Sequence, residues 1–302
     1  MDLMSDIMAK RGFDAKKLPL GKLSKSTIRA GYDILARIEA VLNNTEEDDL
    51  MDLSSSFYTF IPHNFGYQNL AQFIIDTEDK LKERLETLEY LGDLEVANNL
   101  MSKGASEIDA NYAKLNADIT PVQEHTEEYK LIYEYFMNTR DHKNFVLEEL
   151  YKVKRKGGDK TFKKNIGNEY LLWHGTPMTN IVSILSEGLK VKSPNFPWLP
   201  DRIFHADMLG KSIFFSNYQA SKNIALVLLD RVALGNNIAY CDTGINVWSP
   251  MPPGSTSIVL AGSHAPPKSS YVVHDGMTIP LGRPSDSKLV RIRCNVLGIW
   301  IL

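Results

Sequence analysis

The sequence predicts an α+β chain in which an all-α helical bundle precedes a domain dominated by antiparallel strands. Three observations predict it. Up to about Lys156 the chain is poor in breakers, holding only three of its 14 prolines and six of its 19 glycines. Within that stretch apolar residues recur at a spacing near 3.6. From about Tyr170 short β-rich apolar runs alternate with proline and glycine punctuation. The expected division is residues 1–155 and 156–302, joined by the basic stretch Lys152 to Lys164 with its Gly157–Gly158 pair, read as a solvated linker.

The first predicted helix follows Ser24, a serine able to cap the free N–H groups of the first turn. Ile28, Tyr32, Ile34, Leu35, Ile38, Val41 and Leu42 then mark its apolar stripe. A second starts near Asp76, with acidic residues in its first turn and Leu81, Leu85, Leu88 and Leu91 on one side. A third starts near Glu127 with Tyr129, Ile132, Tyr133 and Phe136, and a fourth spans Phe145 to Val153 through Leu147, Leu150 and Tyr151. These stripes are expected to pack on one another as a bundle core.

In the second half, strands are expected at Leu171–Trp173, Ile213–Phe215, Ala225–Leu234, Ser257–Leu260 and Leu289–Leu302. Tyr271–Val273 and Met277–Ile279 flank Asp275-Gly276, a hairpin signal. One helix, Thr179 to Glu187, is expected to close at Gly188, which supplies the left-handed residue of a C-terminal cap.

Composition narrows function before any motif is read. The chain has 302 residues, 43% hydrophobic and 10% aromatic, which excludes a disordered chain. A net charge of −3 gives no broad electropositive face, so no direct DNA binding is expected. Two cysteines, Cys241 and Cys294, are too few for a disulfide framework or a four-cysteine zinc site; they read as buried thiols, and no metal is expected. Charges within Met1–Arg11 leave no apolar leader segment, and no run of 18 or more apolar residues suggests a membrane span. An intracellular protein with no membrane partner is the expectation.

Taken alone, Trp173-His174-Gly175-Thr176 at the end of a predicted strand is a histidine beside a turn. Its company along the chain changes that reading. LLWHGTPMTNIVSILSEGLKV (Leu171 to Val191), GKSIFF (Gly210 to Phe215), LLDRVALGN (Leu228 to Asn236) and DGMTIPLG (Asp275 to Gly282) resemble, in this order, the cofactor-binding segments of poly(ADP-ribose) polymerases. LPLGKLSKSTIRAGYDIL (Leu18 to Leu35), FYTFIPHNFG (Phe57 to Gly66) and IDANYAKLNADI (Ile108 to Ile119) resemble the helical regulatory domain of the same family. The resemblance covers nearly the whole chain. It implies a helical regulatory bundle followed by a diphtheria-toxin-like ADP-ribosyltransferase domain, NAD as substrate, a protein acceptor and a nuclear location.

Residue by residue, the resemblance puts His174 on the family's NAD-binding histidine, Gly175 on the glycine whose backbone clamps the carboxamide, Thr176 on the next small hydroxyl residue and Asn180 on an asparagine near the adenine. The positions for the rest of the His-Tyr-Glu triad depart from the family. Phe214 stands for the tyrosine, keeping a ring to stack on nicotinamide but losing the hydroxyl, and Ser287 stands for the glutamate. The segment Ser216 to Ile224 is shortened, which leaves Tyr218 and Ser221 out of register with the family's second tyrosine and serine. Asp286, one residue before Ser287, would point to the opposite face of a strand, and Glu148 and Glu149 are expected to face solvent on a helix.

A carboxylate at the developing positive charge of the ribose is worth about 10²–10³ in rate. Its loss implies a pseudoenzyme that keeps the scaffold as a binding or regulatory module, with NAD, ADP-ribose or an active family member as partner. The alternative is a weak mono-ADP-ribosyltransferase or NAD hydrolase that uses His174 with an unrecognised carboxylate.

Overall fold

A computed structural model describes residues 8–19, 22–101, 108–140, 144–158, 162–191, 202–241, 252–262, 264–286 and 296–299. By their contacts, two compact units form, Met1–Leu115 and Asn116–Leu302.

The first unit is helical. Helix α1 (Lys25–Leu42) begins where the Ser24 side chain accepts from the Thr27 N–H, and it buries Ile28, Gly31, Ile34, Leu35 and Ile38. Helix α2 (Leu50–Phe60) is capped in the same way by Asp49, which accepts from the Met51 N–H, and buries Leu53 and Phe57. Helix α3 (Glu78–Met101) carries Leu81, Leu85, Leu88 and Leu91, each at most 1% exposed, along one face. Helices α1 and α2 and helices α1 and α3 pack on each other, so the leucine ladder and the α1 stripe share a core as predicted. Helix α4 (Ile108–Lys114) follows.

The second unit opens with β1 (Ala117–Pro121), helix α5 (Glu127–Thr139) and β2 (Tyr151–Arg155). Strands β1 and β2 pair antiparallel from Ala117↔Arg155 to Pro121↔Tyr151. There follow β3 (Glu169–Gly175), α6 (Met178–Glu187), β4 (Ile203–Ala206), α7 (Leu209–Ile213), β5 (Val227–Ala233), β6 (Ile238–Cys241), β7 (Ser257–Leu260), β8 (His264–Ala265), β9 (Val272–His274), β10 (Met277–Ile279), β11 (Ser285–Asp286) and β12 (Val296–Ile299). Among the described residues, eight strands form one sheet in the order β6-β7-β12-β4-β3-β10-β9, with β5 paired to β3. Pairs β6–β7 and β3–β10 are parallel and the other pairs of this sheet are antiparallel.

Strand β3 is the axis of this unit because it is buried on both faces. Side chains alternate along a strand. Leu172 therefore points into a cluster with Val232 and Leu234, while Trp173 points the other way, into a cluster with Tyr135, Phe136, Leu209 and Ile279. The Tyr135 and Trp173 rings lie 4.9 Å apart. The hairpin at Asp275-Gly276 forms as expected, with φ of 49° and 76° at the two turn residues, and α6 ends at Gly188 with φ of 89°.

Four expectations are corrected. The compact units divide at 115/116 rather than at 155/156, because α5 buries Tyr135 and Phe136 in one cluster with Trp173 of the sheet. The stretch Lys152 to Lys164 is not a plain linker, since its first residues lie in β2. Phe145 to Val153 is not a helix: 145–150 is irregular, and pairing with a strand more than thirty residues away (Ile119↔Val153) overrides its i, i+3 spacing. Ile213–Phe215 is not a strand either. It closes α7 and opens a 3-10 turn, Phe214–Ser216, which turns Leu209 and Ile213, four residues apart, inward together. Ser287, Cys294, most of Leu289–Leu302 and the side chain of Cys241 lie outside the described residues.

Candidate functional site

The site is built where β3 ends. Pairing with β5 runs down the whole of β3 to Gly175↔Val227, and Trp173 is also paired to Ala206 of β4. Helix α7 lies close over this end. The Ser212 hydroxyl donates to the Trp173 carbonyl at 2.9 Å, and a Cβ on Gly175 would stand 1.6 Å from the Ser212 carbonyl oxygen. Only a glycine lets the two backbones approach so closely, a structural reason for Gly175 independent of any ligand.

The residues expected to hold a cofactor are brought together here. His174 is half-buried, and its Nδ1 lies 2.8 Å from the Phe204 carbonyl oxygen. A carbonyl only accepts, so Nδ1 carries a hydrogen. Thr176 is buried, and its hydroxyl accepts from the Asn180 side-chain amide Nδ2 at 3.1 Å, while the Thr179 hydroxyl donates to Asn180 Oδ1 at 3.0 Å. These bonds lock the first turn of α6 onto the end of β3, so His174, Gly175, Thr176 and Asn180 are pre-positioned by the fold.

The positions expected to carry the chemistry look different. Phe214 follows α7 directly and is 62% exposed, as is 57% of Phe215, over whose ring the Lys211 ammonium sits at 5.4 Å. The next residues turn sharply, with left-handed φ at Asn217, Lys222 and Asn223. Tyr218 is taken up by an edge-on contact with Phe145, and Ser221 is buried. Asp286 is exposed on β11 with its carboxylate 2.8 Å from His264 Nδ1. Glu148 and Glu149 face solvent as expected, though from irregular backbone rather than a helix.

Two residues that the sequence reading passed over converge on His174. His205 of β4 is 5% exposed, its ring lies 5.2 Å from that of His174, and its Nε2 lies 3.2 Å from an Asp230 carboxylate oxygen on β5. Asp230 carries a signal in sequence, since with Arg231 it interrupts the apolar run Ala225 to Leu234. His205 carries none until strand register is known.

Elsewhere in this unit, burial and the nearby Asp207 hold the Tyr135 hydroxyl well above its usual pKa, so it serves as a fixed donor to the Asp207 carbonyl oxygen at 3.2 Å. Among the described residues no helix is long and apolar enough to cross a membrane.

Two family profiles match this chain: poly(ADP-ribose) polymerase, regulatory domain, over residues 1–116, and poly(ADP-ribose) polymerase catalytic domain, over residues 126–295. The chain belongs to the poly(ADP-ribose) polymerase family. It is 37% identical to poly(ADP-ribose) polymerase 2-A of Oryza sativa subsp. japonica and 36% identical to poly(ADP-ribose) polymerase 2 of Arabidopsis thaliana, in each case over 94% of this chain. With poly(ADP-ribose) polymerase 2 of Homo sapiens the identity is 32% over 95% of this chain. The aligned region covers 45%, 47% and 51% of those three proteins, so the chain spans about half the length of the relatives it matches. The catalytic-domain match takes in α5, in keeping with the burial of Tyr135 and Phe136 against the sheet. A poly(ADP-ribose) polymerase helical domain thus precedes the α+β unit that carries His174.

Proposed function

We propose that this poly(ADP-ribose) polymerase-family chain is a pseudoenzyme: a module that retains the binding half of an NAD site and has lost efficient ADP-ribosyl transfer. The observation that carries the reading is Phe214. At the position matched to the family's tyrosine, the side chain has no hydrogen-bonding atom and is 62% exposed, two residues beyond the Ser212 contact with the end of β3. Ser287 at the glutamate position and Asp286 tied to His264 add to it, because neither offers a free carboxylate for positive charge on a ribose.

The residues present suit the binding of a nucleotide. The His174 ring is held by its Nδ1 contact with the Phe204 carbonyl, Gly175 offers strand backbone at an end without a side chain, and Thr176 and Asn180 are held in one orientation. When bound, NAD would supply the scissile bond between nicotinamide and ribose. His174 and Asn180 would hold the adenosine side, the Gly175 backbone would hold the carboxamide, and the Phe214 ring would offer a stacking face. Partners in keeping with this reading are NAD or ADP-ribose and an active family member, in the nucleus, without direct DNA contact by these residues.

Calorimetric titration of the purified chain with NAD, run beside incorporation of labelled ADP-ribose, tests the reading. Binding with background incorporation is the expected result. Turnover at roughly 1 per second or faster would sink it. The double variant Phe214→Tyr with Ser287→Glu is expected to stay far below an active relative. The shortened Ser216–Ile224 segment still lacks the groups that orient the ring, and orientation supplies a large part of the rate.

A further inference from the structure

We propose that Asp230 is a specificity-determining residue of the nucleotide site: its carboxylate accepts the adenosine ribose hydroxyls of NAD and excludes a dinucleotide phosphorylated at that ribose. The proposal rests on the nucleotide reading given above and adds a selectivity to it. Pairing of Leu172 with Asp230 puts the aspartate on the sheet face shared by Leu172 and His174, and pairing of Trp173 with Ala206 sets His205 on that face too. One Asp230 oxygen and one ring nitrogen of each histidine lie within 4.8 Å of one another. A nucleotide held at His174 therefore comes within reach of this carboxylate.

The carboxylate is oriented, charged and reachable. His205 Nε2 stands 3.2 Å from one Asp230 oxygen, and its ring is buried, so a fixed group sets the direction of the aspartate. A carboxylate has about four lone-pair sites, so this one bond leaves most of its accepting capacity for hydroxyl groups. His205 Nδ1 is buried without a hydrogen-bond partner, which makes it the lone-pair nitrogen of a neutral ring; a proton there would be a buried donor with no acceptor. The neutral ring donates through Nε2 and orients Asp230 without cancelling its charge. Arg231 does not cancel it either. As the next residue of β5 it points to the opposite face, where it pairs with Glu169. The Asp230 side chain is 25% exposed, so a ligand can meet it from solvent. An acidic side chain at a ribose is a means by which dinucleotide sites accept a 2′-hydroxyl, and its charge repels a 2′-phosphate.

Calorimetric titration of the full chain with NAD and with NADP, which carries a phosphate on the adenosine ribose, tests the proposal. NAD is expected to bind at least about tenfold more tightly than NADP. In Asp230→Asn, verified as folded by circular dichroism, the two affinities are expected to fall within about threefold of each other. A residue kept only for sheet packing would weaken both nucleotides alike and leave their ratio unmoved. Equal affinities in the unaltered chain, or an unchanged ratio in the folded variant, overturn the proposal and leave the nucleotide reading standing. If the variant does not fold, NAD lacking the adenosine 2′-hydroxyl decides on the unaltered chain. A loss of about tenfold supports the acceptor role, and unchanged affinity overturns it. Failure of both NAD and ADP-ribose to bind overturns the nucleotide reading and the proposal with it.

Discussion

Two histidines, one in each compact unit, show how differently surroundings can treat the same side chain. His63 in the helical unit is 9% exposed and ringed by Tyr58, Phe65 and Phe73, with ring centroids 5.1–5.5 Å away. Its polar neighbour is a cation: Arg84 donates to His63 Nδ1 at 3.3 Å. Burial first, and the Arg84 charge second, push its pKa down from 6.5 to about 4. His174 in the strand-rich unit faces a second imidazole and a carboxylate, on a face that is open at Asp230. A dry aromatic shell with a cation expels a proton and fixes one state. Two imidazoles facing a carboxylate put polar groups where His63 has rings. Neither behaviour is legible from the histidine itself.

The sharpest way to break the comparison is at the backbone that carries the second cluster. Gly175→Ala drives a methyl group into the Ser212 carbonyl, against backbone that cannot yield as a flexible side chain would. The expected loss is about 3–4 kcal/mol by chemical denaturation. A loss below about 1 kcal/mol would show that α7 shifts freely and that the end of β3 is not pre-positioned.

Next in size is His63→Ala, which leaves a cavity among three aromatic rings and removes an acceptor from Arg84. About 3 kcal/mol of destabilisation is expected in the same measurement. A near-neutral result would remove the structural role assigned to this histidine.

Acidification sharpens the contrast at about 2 kcal/mol. The folded chain refuses a proton at His63 until about pH 4, while the unfolded chain accepts it near the usual histidine value of 6.5. The stability contribution is therefore complete above about pH 6.5 and is lost progressively as pH falls towards 4. Denaturation midpoints across that range should drop in the unaltered chain and flatten in His63→Gln. An equal slope in both would place the titrating group elsewhere.

The smallest effect on stability is expected from His174→Ala, about 1 kcal/mol, since the ring is half-buried and its bond to the Phe204 carbonyl is of ordinary strength. Binding should suffer instead, with affinity for NAD reduced by about tenfold in calorimetry. Unchanged NAD affinity would separate His174 from cofactor binding.

The chemistry of neighbouring residues determined much of this protein from sequence alone. Ser24 capping α1, the leucine ladder of α3, the Asp275-Gly276 hairpin and the Gly188 cap each depend on residues only a few positions apart, so local spacing suffices. His174, Gly175, Thr176 and Asn180 lie in one short strand–turn–helix segment, but that segment alone did not single them out; the order of the segments that follow it did. Tertiary structure decided the rest. Val153 lies in a strand because Ile119 pairs with it, and α5 belongs with the sheet because Trp173 offers its stripe a face to bury against. His205 and Asp230 meet His174 only because β4 and β5 flank β3 in one particular register, and a slip of one residue would send either side chain to the opposite face. Register is set by the packing of the whole sheet, so it is a property of no single segment.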